Sequence, residues 1–202
     1  GFGDVRRRVI GEADRAPTVR ELTQMASLVT DAMCQGALGL STGLFYAPQS
    51  FAKSDEVVTL ARAAAAKGGI YDTHLRDESS YTIGLHKAIE EALRIGREAN
   101  IPVHIAHIKA LGVDVHGQAP AIIAMIEAAQ RAGQVVHADQ YAWSASHTGL
   151  SAAVIPRSAQ DGGRAAMLKR FDDAPTMEKM RPEIIENLRR RGGAASLLIT
   201  SG

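Results

Sequence analysis

The chain has 202 residues, 46% of them apolar, 22% charged and 4% aromatic, a profile that excludes a disordered or fibrous protein. Twenty-three Lys and Arg against 22 Asp and Glu leave a formal charge of +1, so nothing electrostatic points to nucleic acid or an anionic membrane as partner. The single cysteine, Cys34, excludes an internal disulfide framework and a multi-cysteine zinc ribbon.

In chain order, Thr18-Val19-Arg20-Glu21 reads as a capping box that opens a helix through Leu22, Met25, Ala26 and Leu28. A β-rich run at 37–43 follows Gly36. Ser54-Asp55-Glu56 starts a second helix carrying Val57, Val58, Leu60, Ala61 and Ala64, and a run at 69–76 follows Gly68. Ile83, Ala88, Ile89, Ala92 and Leu93 keep helical spacing before Asn100 and a run at 101–109. Ile122, Ile123, Met125, Ile126 and Ala129 do the same before Gly133 and a run at 134–143. The unit recurs at a period of about 33 residues, with a helix-stopping residue before each run.

Strand and helix alternating in units this short predict an α/β fold with parallel strands and crossover helices. Two architectures fit: an open doubly wound sheet, or about half of a (β/α)8 barrel, which needs about 250 residues when complete. After residue 143 the beat is lost. Residues 144–150 read as a polar turn, 164–171 and 177–191 as amphipathic helices, the second with Pro182 near its start, and 195–200 as a further strand. The predicted organisation is therefore 1–143 partial barrel units, 144–193 a loop and helical insertion, and 194–202 the start of another barrel strand. No apolar run approaches the roughly 20 residues of a bilayer span, and no signal peptide opens the chain, so a cytoplasmic location is expected.

In both architectures ligands bind at the carboxyl ends of the strands. Ser41-Thr42, His74, His107 and Tyr141 stand there, separated by 33, 33 and 34 positions, which predicts matched heights on successive strands. Neighbouring strands lie roughly 5 Å apart, so the rings of His74 and His107 can converge on one Zn²⁺ or similar ion. Strict alternation puts His107 on one face with Val103, Ile105 and Lys109, turns His104 towards the helices, and groups His74 with Asp72 and Arg76. A lone strand-end histidine is commonly no more than a satisfied polar residue. A matched pair followed by the charges of His74-Leu75-Arg76-Asp77-Glu78 favours an ionic site. His86 and His116 read as solvated, His147 as a loop residue near the ligand, Cys34 as structural, and Arg189-Arg190-Arg191 as the charged last turn of a helix.

Gly36 to Leu44 (GALGLSTGL), Tyr46-Ala47-Pro48, Thr73 to Glu78 (THLRDE), Ile101 to Lys109 (IPVHIAHIK) and Ala138 to Tyr141 (ADQY) together resemble the D-aminoacylase, or N-acyl-D-amino-acid deacylase, branch of the amidohydrolase superfamily. The resemblance runs over about residues 1–150 and more weakly beyond. It implies a metal-dependent barrel hydrolase, with one or two Zn²⁺ ions, that cleaves the amide bond of N-acyl-D-amino acids. It also implies metal ligation by His74 and His107, substrate carboxylate or carbonyl binding by Lys109 and Tyr141, and a substrate side-chain pocket lined by Phe45 and Tyr46. His147 stands where a serine is common. The family's cysteine ligand, its His-x-His pair and its general-base Asp have no counterpart in the 202 residues. The isolated chain is accordingly expected to be inactive and to associate, with itself or with a missing half-barrel. Two rival readings are another amidohydrolase activity, such as cyclic amide hydrolysis, and a metal-free α/β ligand-binding domain.

Overall fold

The computed structural model describes residues 1–200. A short helix that the sequence pattern did not announce, α1 (Phe2–Val9), packs ahead of α2 (Val19–Cys34). The capping box at α2 is formed in both directions. The Glu21 amide donates to Thr18 Oγ1 at 3.2 Å, and the Thr18 amide donates to the Glu21 carboxylate at 2.7 Å. Four units follow: β1 (Gly39–Gly43), α3 (Ser54–Ala65), β2 (Ile70–His74), α4 (Leu85–Ala99), β3 (Val103–Ile105), α5 (Ala119–Arg131) and β4 (Val136–Ala138). Gly36, Gly68, Asn100 and Gly133, the expected helix stops, all adopt positive φ, the left-handed conformation that ends a helix most cheaply at Gly or Asn.

The strands form one parallel sheet in the order β1-β2-β3-β4. A doubly wound sheet reverses its strand order to place helices on both faces. Strictly sequential order with right-handed crossovers keeps every helix on one face, which is barrel winding. The burial agrees. Leu40, Thr42, Tyr71, Thr73, Val103, Ile105 and Val136 are buried, whereas Ser41, Asp72, His104 and His137 on the opposite face are exposed or half-buried. The fold is thus an α/β segment, part of a barrel-like winding.

The strands are shorter than their hydrophobic runs predict, because pairing stops where the chain turns into the loops at their carboxyl ends. Under the helices, buried hydroxyls are matched: Thr42 Oγ1 lies 2.9 Å from both the Tyr71 hydroxyl and Thr73 Oγ1. Burial pushes the Tyr71 phenol up to about 12. Helix α1 is anchored by Arg6, fully buried, which donates to Glu56 of α3 at 3.1 Å and to the carbonyls of Ala13 and Arg15.

Beyond residue 143, 144–149 carry no helix or strand. Then come α6 (Leu150–Val154), α7 (Gly163–Phe171) and α8 (Ala174–Arg190). Pro182 lies inside α8 rather than near its start, because Asp173 caps the helix earlier by accepting from the Thr176 amide. The expected strand at 195–200 does not form. Ala194–Ser196 is a 3-10 turn, and 197–200 have no strand partner among the described residues; 201 and 202 lie outside them. Cys34, read as structural, is exposed, so it adds nothing to the core. No helix among the described residues is long and apolar enough to cross a membrane.

Candidate metal centre

The run His74 to Glu78 divides its labour residue by residue. His74 ends β2. Leu75 is buried in the core. Arg76, expected to share the His74 face, turns instead to the helices: it pairs with Glu91 of α4 at 2.8 Å and donates to the carbonyls of Ser50 and Ala52. Asp77, fully buried, accepts from the amides of Ser79, Thr82 and Gly84 and so organises the loop into α4. Only Glu78 returns to the ring of His74. The charge density after β2 is therefore mostly scaffold.

Equal sequence spacing does not translate into equal height. Gly43 stands opposite His74, and Thr73 stands opposite Ile105, so β3 ends before His107 is reached. His107 lies in the following turn at φ +41°, a region non-glycine residues rarely occupy. That turn breaks the alternation on which the sequence reading relied, and the faces come out reversed. Val103 and Ile105 are buried under the helices. His104 does not pack beneath them. It faces the open side, with Nδ1 2.7 Å from Asp72 and Nε2 3.4 Å from Asp139.

The turn carries His107 back to His74. His74 Nδ1 and His107 Nε2 are 3.0 Å apart, with ring centroids 4.6 Å apart. Two nitrogens on one tetrahedral Zn²⁺ at ordinary bond lengths lie about 3.3 Å apart, so the pair fits a shared ion with little adjustment. Glu78 sits on the far edges of both rings, with Oε2 3.9 Å from His74 Nε2 and Oε1 3.4 Å from His107 Nδ1. One ligand atom from each of His74, Glu78 and His107 falls within 4.8 Å of the others. Burial holds the His74 imidazole down to about 4, the neutral form a metal requires. Burial pushes the Glu78 carboxyl up, but His107, His74 and Lys109 outweigh it, so the group lies below its ordinary value. The hydrogen bond to Glu78 raises His107. Two imidazoles are a donor pair suited to zinc, with the Glu78 carboxylate held on the opposite edges of their rings.

The other expected site residues surround this cluster. Lys109 Nζ contacts Glu78 at 2.5 Å and His107 Nδ1 at 2.9 Å, so its charge is already paired. The Tyr141 hydroxyl is buried with no hydrogen-bond partner among the described residues. Phe45 and Tyr46 lie with ring centroids 5.8 and 5.0 Å from His74. His147 joins them in lining a cleft of about 90 Å³. That is too small for an acylated amino acid, but it shares Tyr141, His147 and Arg191 with an adjoining cleft of about 920 Å³. Two residues escaped the sequence reading. Glu78 was seen only as part of a charged run. Arg191 was read as a helix end, yet it lines both clefts and donates to the Tyr81 hydroxyl at 2.5 Å.

A parallel barrel-like sheet with a histidine pair and a carboxylate beyond its strand ends defines an α/β protein with a candidate metal-binding cluster. Comparison with known proteins narrows the class. The chain is 40% identical over 150 residues to D-aminoacylase of Alcaligenes xylosoxydans xylosoxydans, 38% over 151 to the N-acyl-D-aspartate deacylase and 32% over 148 to the N-acyl-D-glutamate deacylase of that organism. Each match covers 73–74% of this chain and 30% of the relative. Among solved structures, the D-aminoacylase that defines a novel subset of amidohydrolases superposes with a TM-score of 0.66 at 38% identity, over 71% of this chain and 29% of that one. The N-acyl-D-glutamate deacylase of Bordetella bronchiseptica, complexed with zinc and a phosphonate inhibitor that mimics the tetrahedral intermediate, does so with 0.67 at 32%, over 71% and 30%. D-aminoacylase itself has a binuclear metal centre with one-metal activation and second-metal attenuation. No family model matches the chain. Over the matched segment the chain is a homologue of these D-aminoacylases and N-acyl-D-amino-acid deacylases, and it spans about 30% of the length of its relatives.

Proposed function

We propose that this chain supplies metal-binding and substrate-binding groups for hydrolysis of the amide bond of N-acyl-D-amino acids. The observation that carries the reading is the 3.0 Å apposition of His74 Nδ1 and His107 Nε2 in a chain related to deacylases. These two nitrogens would hold the ion. Zn²⁺ bound there supplies Lewis-acid polarisation of the acyl carbonyl and a water acidic enough to ionise near neutral pH.

The remaining roles fall to the chain itself. With Nε2 of His107 on a metal, its ring proton would reside on Nδ1 and be donated to Glu78, which would free Lys109 from that nitrogen to face a substrate carboxylate. The free Tyr141 hydroxyl donates to the same anion or to the acyl oxygen. Phe45 and Tyr46 wall the space for the amino-acid side chain, and His147 stands at the mouth. Among the described residues Glu78 is the only carboxylate lining the smaller cleft, and it is committed to Lys109 and His107. The base that moves the proton from water to the leaving amine therefore comes from outside these residues, and the chain alone does not turn over substrate.

Metal analysis and a segment exchange test this. The purified chain should take up zinc, and His74→Ala and His107→Ala should each abolish tight binding. Stoichiometric zinc in either variant removes the site. Replacing the matched segment of the Alcaligenes D-aminoacylase with this one should preserve hydrolysis of N-acetyl-D-amino acids over the L-enantiomers. Loss of folded, zinc-loaded activity on every N-acyl-D-amino acid tried would refute the substrate class.

A further inference from the structure

His107 can meet His74 only through its left-handed backbone, and such a conformation persists only where the surroundings over-determine it. The Ala106 amide donates to the Thr73 carbonyl at 3.0 Å, and the rest of the turn's backbone is held by one residue. Asp139, the residue after β4, brackets the His107 turn with three contacts. Its amide donates to the Ile105 carbonyl at 3.2 Å, its carbonyl accepts from the Ile108 amide at 2.9 Å, and its Oδ1 accepts from the amide of His107 itself. The other carboxylate oxygen, Oδ2, is 3.4 Å from His104 Nε2, and His104 Nδ1 is 2.7 Å from Asp72 Oδ1. A carboxylate, an imidazole and a second carboxylate thus run across the open face from β2 through β3 to the turn, ending on the backbone of His107.

We infer that Asp139 is a positioning residue for the metal centre: its carboxylate pins the His107 amide, sets the left-handed turn and thereby aims Nε2 at the ion, with His104 and Asp72 orienting Asp139 in turn. The inference rests on the proposed metal site. Its physical logic is that of partners outside the ligand shell, which fix the direction of a ligand ring and whose loss commonly costs about 10- to 100-fold in metal affinity. The Asp139 side chain is largely exposed, 59% accessible, so its removal should act on the turn and not on the core.

The test uses the 202-residue chain, zinc and a competing chromophoric chelator, with thermal unfolding read in parallel. Asp139→Ala should weaken zinc about 10-fold or more at an unchanged unfolding midpoint. Asp139→Asn, whose side-chain oxygen still accepts from an N–H, should bind within about threefold of the parent chain by the same reasoning. Asp139→Glu, which keeps the charge but displaces it by a methylene, should fall with alanine. It serves as the second variant should alanine fail to fold. A metal-free readout is the NMR amide signal of His107, protected from exchange in the parent and in Asp139→Asn and lost in Asp139→Ala. Equal zinc affinity in the alanine and parent chains, or an unaltered His107 amide in Asp139→Ala, overturns the inference. A parent chain that binds no zinc while the amide responds as described overturns the metal reading and with it the inference, leaving only that Asp139 sets the His107 turn.

Discussion

The two faces of the sheet are built on opposite principles from alternate residues of the same strands. Under the helices, Tyr71, Val103, Ile105 and Val136 are within 1% of full burial, and the hydroxyls of Thr42, Tyr71 and Thr73 satisfy one another. On the open side, Ser41, Asp72, His104 and His137 retain contact with solvent, and His104 meets Asp72 and Asp139 across strands in ion-pair geometry. Apolar area removed from water stabilises by roughly 25 cal/mol per Å², whereas exposed ion pairs contribute about 0–1 kcal/mol. The covered face therefore holds the units together, and the open face is released to carry chemistry. The strand ends join the two, because His74 at the end of β2 meets Glu78 of the following loop, while Arg76 pairs with α4 and Asp77 holds the loop itself.

Substitutions on the covered side should give the largest effects. Arg6→Ala leaves Glu56 buried without its partner, and removing one member of a buried pair costs about 3–5 kcal/mol. Urea unfolding of the chain should show a shift of that order in the extrapolated free energy with the slope unchanged. A loss below about 1 kcal/mol, the worth of an exposed pair, would mean that the anchor is solvated. Ile105→Ala should follow at about 3 kcal/mol, transfer and cavity together, because the side chain is fully enclosed between β3 and the helices. An effect within experimental error would place Ile105 on the open face and restore the simple alternation that the His107 turn breaks.

The features legible in the sequence are those in which local chemistry and period coincide. The capping box at Thr18 and Glu21, the helical stripes of α3, α4 and α5, and the stops at Gly36, Gly68, Asn100 and Gly133 are all carried by nearest neighbours in the chain. The histidine pair was visible as well, but for a partly mistaken reason, since equal spacing implied equal height. The register places Thr73 opposite Ile105, and the two rings meet only because His107 takes a backbone conformation that no periodicity encodes. The placements of Glu78, Asp139 and Arg191 were not legible for a related reason. Each reaches its partner across elements: Glu78 touches Lys109, Asp139 touches the His107 amide, and Arg191 touches Tyr81. Helix α1 has an apolar stripe, Phe2, Val5 and Val9, but at eight residues and with three consecutive arginines, Arg6 to Arg8, it is too short and too charged for that stripe to stand out.

The smallest effect is expected next door to Ile105, and it is the sharpest probe of the contrast. His104→Ala removes a ring whose side chain is 32% accessible and whose partners, Asp72 and Asp139, are 41% and 59% accessible. Water can replace each hydrogen bond that is lost, and no cavity is left against the helices. The two carboxylates are freed into solvent and not stranded in the core, which is the condition under which losing a partner becomes costly. The stability change should therefore stay within about 0.5 kcal/mol, several-fold below that of Ile105→Ala one residue along the same strand. A loss approaching that of Ile105→Ala would show that the open face is packed in solution, by a second copy of the chain or by further polypeptide, and concentration dependence of the unfolding midpoint would tell those two apart.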